Sequence, residues 1–173
     1  MTTLLLVRHG ETDWNADGRL QGHTDRPLSD YGRRQARELA GELEDEELEA
    51  IYSSDLTRAR ETAEIVGERL GLPVALYPDL REKDWGTWEG LTAVERDRVE
   101  FVGETTEAHQ ERILRALRRI SQRHSGGGRV LVVTHGGSMR RVQTAALGIS
   151  LPVVENCGRW LCVWESGTIR AVD

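Results

Sequence analysis

The chain is 173 residues long (19.5 kDa), 38% hydrophobic and 30% charged, with a formal net charge of −6. That length suffices for one domain with its own core, and the composition excludes wholesale disorder and argues against a duplex-coating nucleic-acid binder, which would be basic. No apolar run approaches the ~18 residues of a membrane span, and Met1-Thr2-Thr3 opens without a basic leader, so no signal peptide, no membrane association and a cytoplasmic location are expected.

The apolar run Leu4 to Val7 predicts a buried strand that ends at Arg8-His9-Gly10. Residues 10–28 are polar and read as a loop. Ser29 can cap a helix with its stripe at Ala36, Leu39, Ala40 and Leu43. A short strand at Ala50 to Tyr52 is followed by Asp55, read as the cap of a second helix with Ala59, Thr62, Ala63, Val66 and Leu70 on one face and Gly71 at its end. Val74 to Tyr77 reads as a short strand and 78–104 as irregular. A helix is expected from Thr106 to Arg123, and His109 and His124 are taken as surface residues of it.

Val130 to Val133 is the second strongly apolar strand. It runs into Thr134-His135-Gly136-Gly137 and a helix that Gly148 ends. Two strands, about 158–165 and 168–172, close the chain around the turn Ser166-Gly167. The stretch Trp160 to Trp164 is apolar on both faces, as an internal strand or a dimer edge would be, so monomer and homodimer both stay open. Cys157 and Cys162, at odd spacing on one extended strand, would face opposite ways and are read as reduced thiols. Alternating strands and helices predict an α/β fold, a three-layer α/β/α sandwich around a mostly parallel sheet, in a single domain spanning 1–173.

In such a fold ligands sit at the carboxyl ends of the strands. His9 and His135 each follow a strand there. Arg8 lies beside the first, Arg58 falls in the first turn of the second helix, and Gly136 opens the helix after His135. Two histidines, two arginines and helix N-termini make a cationic pocket suited to a phosphoryl group.

These residues sit in blocks that resemble the histidine phosphatase superfamily, also known from the cofactor-dependent phosphoglycerate mutases. The blocks are Leu6-Val7-Arg8-His9-Gly10-Glu11-Thr12 with Trp14-Asn15, and Arg19-Leu20-Gln21-Gly22 through Pro27-Leu28-Ser29. Ser53-Ser54-Asp55-Leu56-Thr57-Arg58-Ala59 follows, then Leu80-Arg81-Glu82 with Trp88-Glu89-Gly90, and Thr134-His135-Gly136-Gly137 with Arg140. The resemblance implies a phosphoglycerate mutase-like fold with a short cap at about 84–105. It implies His9 as a nucleophile that forms phosphohistidine, with Arg8, Arg58 and His135 as the phosphate clamp. Asn15, Gln21, Gly22 and the Gly136 N–H become secondary phosphate contacts, and Glu82 the acid that protonates the leaving oxygen. Glu11 and Asp84 stay open as alternatives to Glu82. No cofactor and no metal are implied; a metal site built from His9, His23 and Asp13 is the rival.

The departures from the mutases point to a phosphatase. The stretch between Gly90 and His135 lacks their long lid and its basic residues. Trp85 replaces a Tyr, Ala93 a Lys, and Gly136-Gly137 the usual Gly-Asn. The expected activity is hydrolysis of a phosphomonoester, on a small phosphorylated metabolite or a phosphoprotein. Phosphoglycerate mutase and non-catalytic phosphoester binding are the alternatives. Trp14, Trp85 and Trp88 are candidates to frame the opening.

Overall fold

The computed structural model describes residues 1–172. Strand β1 (Thr2–Arg8) carries apolar side chains at successive positions because both of its faces are covered. Leu4 and Leu6 point into one core layer, with Val130 and Val132 of β4 (Arg129–Thr134). Leu5 and Val7 point into the other, with Leu131 and Val133.

Helices α5 (Thr106–Arg123) and α6 (Gly136–Leu147) close the first layer through Ile113, Leu117, Ile120, Met139 and Val142. Helices α2 (Asp30–Glu42) and α3 (Thr57–Leu70) close the second through Leu39, Leu43, Ala59, Ala63 and Val66. The expected sandwich is therefore the observed one.

The sheet runs β3-β2-β4-β1-β5-β6, with β2 at Leu48–Ser53, β3 at Val74–Leu76, β5 at Arg159–Glu165 and β6 at Thr168–Ala171. The first four strands in sequence are parallel, and β5 and β6 add as an antiparallel hairpin on the far side of β1. Trp160 to Trp164 thus lies on an internal strand, paired on both edges, and β6 forms the sheet edge.

Register positions the site. Arg8 pairs with Thr134, so His9 and His135 emerge side by side from adjacent strands. Ser53 pairs with Val133, so Ser54 and the start of α3 arrive next to them.

Several details differ from the sequence reading. The polar segment 10–28 contains one helical turn, α1 (Asp13–Ala16), held by a reciprocal capping box between Thr12 and Asn15. Asp55 does not cap α3. Its carboxylate is held by both arms of the Arg81 guanidinium, at 2.7 and 2.6 Å, a stronger use of a charged group than one amide contact. The α3 N-terminus is served instead from Asp25, which accepts from the Thr57 N–H and hydroxyl at 2.8 and 2.7 Å.

His109 is buried rather than on the surface, and His124 is half-buried at the α5 C-terminus, where its ring bridges the Tyr52 hydroxyl at 3.0 Å and Glu49 at 2.8 Å. Cys157 lies before β5, with φ of 57°, so it shares no strand with Cys162. Both thiols are free, and burial pushes each up to about 12.

The segment after Glu82 carries a 3-10 turn at Gly86–Trp88 and a helical turn, α4 (Ala93–Arg96). Trp85, Trp88 and Phe101 pack together there, and the Trp88 indole donates to Val99 O at 2.9 Å. Among the described residues no helix is long and apolar enough to cross a membrane.

Because Leu6 is fully buried between helix layers, Leu6→Ala is expected to cost about 2–5 kcal/mol of unfolding free energy in urea denaturation. A cost below about 1 kcal/mol would contradict this placement.

Candidate active site

A cavity of about 170 Å³ opens at the carboxyl edge of β1 and β4. Arg8, His9, Asn15, Gln21, Gly22, Arg58, Glu82 and Gly136 all line it. His135 lies immediately behind this wall, fully buried, with its ring centroid 5.2 Å from that of His9. All nine residues singled out in the sequence are therefore brought together.

The local hydrogen bonds fix which atoms face the cavity. His9 Nδ1 is 2.6 Å from the Gly10 carbonyl. A carbonyl only accepts, so Nδ1 holds the proton and Nε2 keeps its lone pair. His135 Nε2 meets Ser54 Oγ at 2.9 Å, while its Nδ1 is buried without a partner. Gln21 Oε1 accepts from the Thr12 hydroxyl at 2.8 Å, and Asn15 Oδ1 accepts from the Thr12 N–H at 3.1 Å and Asn156 Nδ2 at 3.2 Å. Both amides therefore have their NH₂ groups left for a ligand.

Arg58 is 1% exposed and donates to Gly22 O at 2.7 Å and Thr24 O at 3.2 Å. Arg8 donates to Val154 O at 2.8 Å. The Nε atoms of Arg8, Arg58 and Arg140 are buried without acceptors. Carbonyls thus orient the guanidiniums without neutralising them.

Glu82 is the sole carboxylate lining the cavity among the described residues. Its Oε1 accepts from its neighbour Lys83 N–H at 2.8 Å and its Oε2 from Gly137 N–H, at the start of α6, at 2.9 Å. A Cβ at Gly137 would run into this carboxylate, which explains the second glycine after His135. Glu11 instead accepts from Ser29 Oγ, and Asp84 from Gly86 N–H, and neither lines the cavity. Asp13 pairs with Arg26, and His23 Nε2 meets Glu82 O at 3.0 Å. Among the described residues no three His, Cys, Asp or Glu side chains are grouped to hold a metal ion. Of the three tryptophans, Trp85 lines the opening; Trp14 and Trp88 do not.

Some positioning residues carried no role in the sequence reading. Glu89 accepts from the N–H groups of His23 at 2.8 Å and Thr24 at 2.7 Å, pinning the loop after Gly22, whose φ of +55° and contact with that carboxylate leave no space for a Cβ. Arg112 donates to the carbonyls of Asp79, Arg81 and Glu82 at 3.0, 2.9 and 3.0 Å, fixing the segment that carries Glu82. Arg19 and Arg140 also line the cavity. The sequence signal for Glu89 and Arg112 was weak, because their partners are backbone groups far away in the chain.

Burial, followed by the nearby Arg58, holds both His9 and His135 well below the usual imidazole value of 6.5, and burial lowers Arg58 to about 10. The unfolded chain protonates these imidazoles as pH falls through 6.5 while the folded chain resists. Their contribution to stability is therefore present above 6.5 and lost progressively below it. A bound anion offsets the arginines and raises both imidazoles. Sulfate binding near pH 6, followed by calorimetry in buffers of different ionisation heat, is expected to take up protons; proton release or none would contradict this electrostatic account.

A sequence profile described as the histidine phosphatase superfamily (branch 1) matches residues 4–162. The chain is 39% identical over 153 residues to an uncharacterized phosphatase, PhoE, of Bacillus subtilis (strain 168), covering 86% of this chain and 79% of the relative. It is 37% identical over 161 residues to a metal-independent phosphoserine phosphatase of Arabidopsis thaliana, covering 82% of this chain and 67% of that one. Among solved structures, Bacillus stearothermophilus YhfR superposes with a TM-score of 0.90 at 35% identity, over 99% of this chain and 95% of the other. A mycobacterial glucosyl-3-phosphoglycerate phosphatase in complex with VO3 gives 0.88 at 30% identity, over 97% and 95%. The ordered blocks along the sequence and the pocket they build thus have one origin: the chain belongs to the histidine phosphatase superfamily.

Proposed function

We propose that this pocket hydrolyses small phosphomonoesters through a phosphohistidine on His9. The observation that carries the reading is the meeting of an unprotonated His9 Nε2, two incompletely paired guanidiniums (Arg58 buried, Arg8 half-buried) and a single carboxylate in one cavity.

His9 Nε2 attacks phosphorus in line, forming the P–N bond as the P–O ester bond breaks. Glu82, which enters this step as the carboxylic acid with a proton taken from solvent, gives that proton to the departing alkoxide oxygen. The ionised Glu82 then takes a proton from water, whose oxygen attacks phosphorus as the P–N bond breaks, releasing phosphate and restoring His9. Arg8, Arg58 and His135 offset charge on the equatorial oxygens, the work a divalent cation does in other phosphoryl transferases. The amides of Asn15 and Gln21, with the N–H groups of Gly22 and Gly136, complete the cradle. Because the Gly137 N–H holds Glu82, the start of α6 serves both the acid and the phosphate.

Hydrolysis is favoured over mutase chemistry because a mutase must hold its intermediate away from water while the substrate reorients, and residues 84–105 form only a short cap over this site. The relatives named as phosphatases of phosphoserine and of glucosyl-3-phosphoglycerate support a small phosphorylated substrate. Two unpaired thiols support residence in the cytoplasm.

Wild-type protein in EDTA is expected to hydrolyse p-nitrophenyl phosphate with inhibition by vanadate, and His9→Ala to lose that turnover. Glu82→Gln is expected to lower kcat on alkyl phosphates by about 10²–10⁴, and by less on p-nitrophenyl phosphate, whose leaving group needs little protonation. Retained turnover in His9→Ala, or loss on chelation that a metal restores, would overturn the assignment.

A further inference from the structure

Asn15 lines the phosphoryl pocket, yet the element that carries it is weak. Helix α1 is a four-residue turn with no buried residue. A turn that short has little stability of its own, and its capping box closes within the turn itself. What ties Asn15 to the sheet comes from late in the chain. Residues 154–158, just before β5, wrap the end of β1. Val154 O accepts from Arg8 Nη1 at 2.8 Å and Gly158 O from the Arg8 N–H at 3.0 Å, while the Cys157 N–H donates to Arg8 O at 3.0 Å. The segment makes these contacts with backbone groups, which almost any sequence supplies.

Asn156 adds a side chain to them. Its Nδ2 donates to His9 O at 3.0 Å and to Asn15 Oδ1 at 3.2 Å. Asn156 itself does not line the phosphoryl pocket; it lines a groove on the outer side, with Tyr31, Gln35 and Glu38. Backbone atoms dictate how both amides are turned. A carbonyl only accepts, so the atom that Asn156 presents to His9 O is its nitrogen. That nitrogen and the Thr12 N–H, at 3.1 Å, both donate to the same atom of Asn15, which is therefore its oxygen. The Asn15 NH₂ is left for the cavity.

We propose that Asn156 is a positioning residue of this site: it hangs the Asn15 amide from the His9 carbonyl, so that Asn15 meets the phosphoryl group donor first. This rests on the phosphatase reading for the identity of the group that the amide meets. Without Asn156 one bond is left on Asn15 Oδ1, from the Thr12 N–H of the same short turn. The amide then gains freedom that phosphate binding has to remove, at a cost in affinity. His9 O keeps a second donor, the Cys157 N–H at 3.3 Å, so the effect falls on Asn15 rather than on His9.

A double-mutant cycle tests this, read as the affinity for inorganic phosphate by calorimetry. Asn156→Ala removes the side chain, and Asn156→Leu keeps its branched shape without a donor; neither adds charge. Asn156 is half-buried, and two variants keep the test sound if one of them unsettles the fold. In otherwise wild-type protein each is expected to weaken phosphate binding by about three- to tenfold, part of what one charge-assisted contact is worth. In an Asn15→Ala background the same substitutions are expected to change it by less than about twofold. Unchanged affinity in the first background would overturn the proposal. So would an equal loss in both, which is what a general loosening of residues 154–158 gives. Phosphate binding needs no turnover, and p-nitrophenyl phosphate hydrolysis by wild-type protein is scored separately. Failure of this positioning role and failure of the phosphatase reading are therefore distinguishable.

Discussion

Burying Arg58 beside Arg8 and two imidazoles is the constraint around which the rest of this molecule is arranged. Like charges in a low-dielectric wall repel, and each loses its hydration. The protein meets that cost in three ways. Backbone carbonyls of Gly22, Thr24 and Val154 accept from the guanidiniums, which fixes their direction while leaving their charge intact. The imidazoles stay neutral, which removes two positive charges and leaves His9 with a lone pair. Among the described residues Glu82 is the one carboxylate lining the cavity, and it is the chief group opposing the drop in both arginines. The residual positive field is what a phosphoryl dianion completes.

That arrangement depends on the sheet. Adjacent parallel strands β1 and β4 end in register, so two histidines far apart in sequence meet without any loop having to hold them. Thr62 ties the assembly further: its hydroxyl donates to Arg58 O at 2.7 Å and accepts from Gly10 N–H at 3.0 Å, linking the helix that carries the guanidinium to the loop after His9. Glu82 is held just as firmly, by Arg112 through carbonyls and by the first turn of α6 through the carboxylate. Preorganisation of this kind means the site need not reorient its dipoles as charge develops.

The layers, the strand ends and the helix stripes were legible in the sequence because they rest on local periodicity: Leu4 to Val7 and Val130 to Val133 announce doubly covered strands, and the Thr106–Arg123 helix was read at its observed bounds. The eight residues that line the pocket, and His135 behind its wall, were legible as a group through ordered motifs. What escaped has a common physical cause, contact between side chains and distant groups. His109 lies on a helix whose pattern marks it as polar, yet the helix turns it toward Ser138 and Glu82. Asp55 stands where a cap belongs but is claimed by Arg81, and Asp25, thirty-two residues away, takes over the α3 terminus. Lys83 looks like any lysine after an acidic residue until Trp85 and Phe101 are seen around it.

The central claim is that His9 carries the phosphoryl group between two displacements. Mixing the enzyme with a rapidly cleaved phosphomonoester, quenching in alkali to preserve phosphohistidine, and mapping the adduct by peptide mass spectrometry tests it directly. The account predicts a base-stable, acid-labile phosphoryl group on the peptide bearing His9, absent in His9→Ala. Turnover with no such adduct at any quench time, and release of phosphate with inversion at phosphorus from a chiral ester, would contradict it.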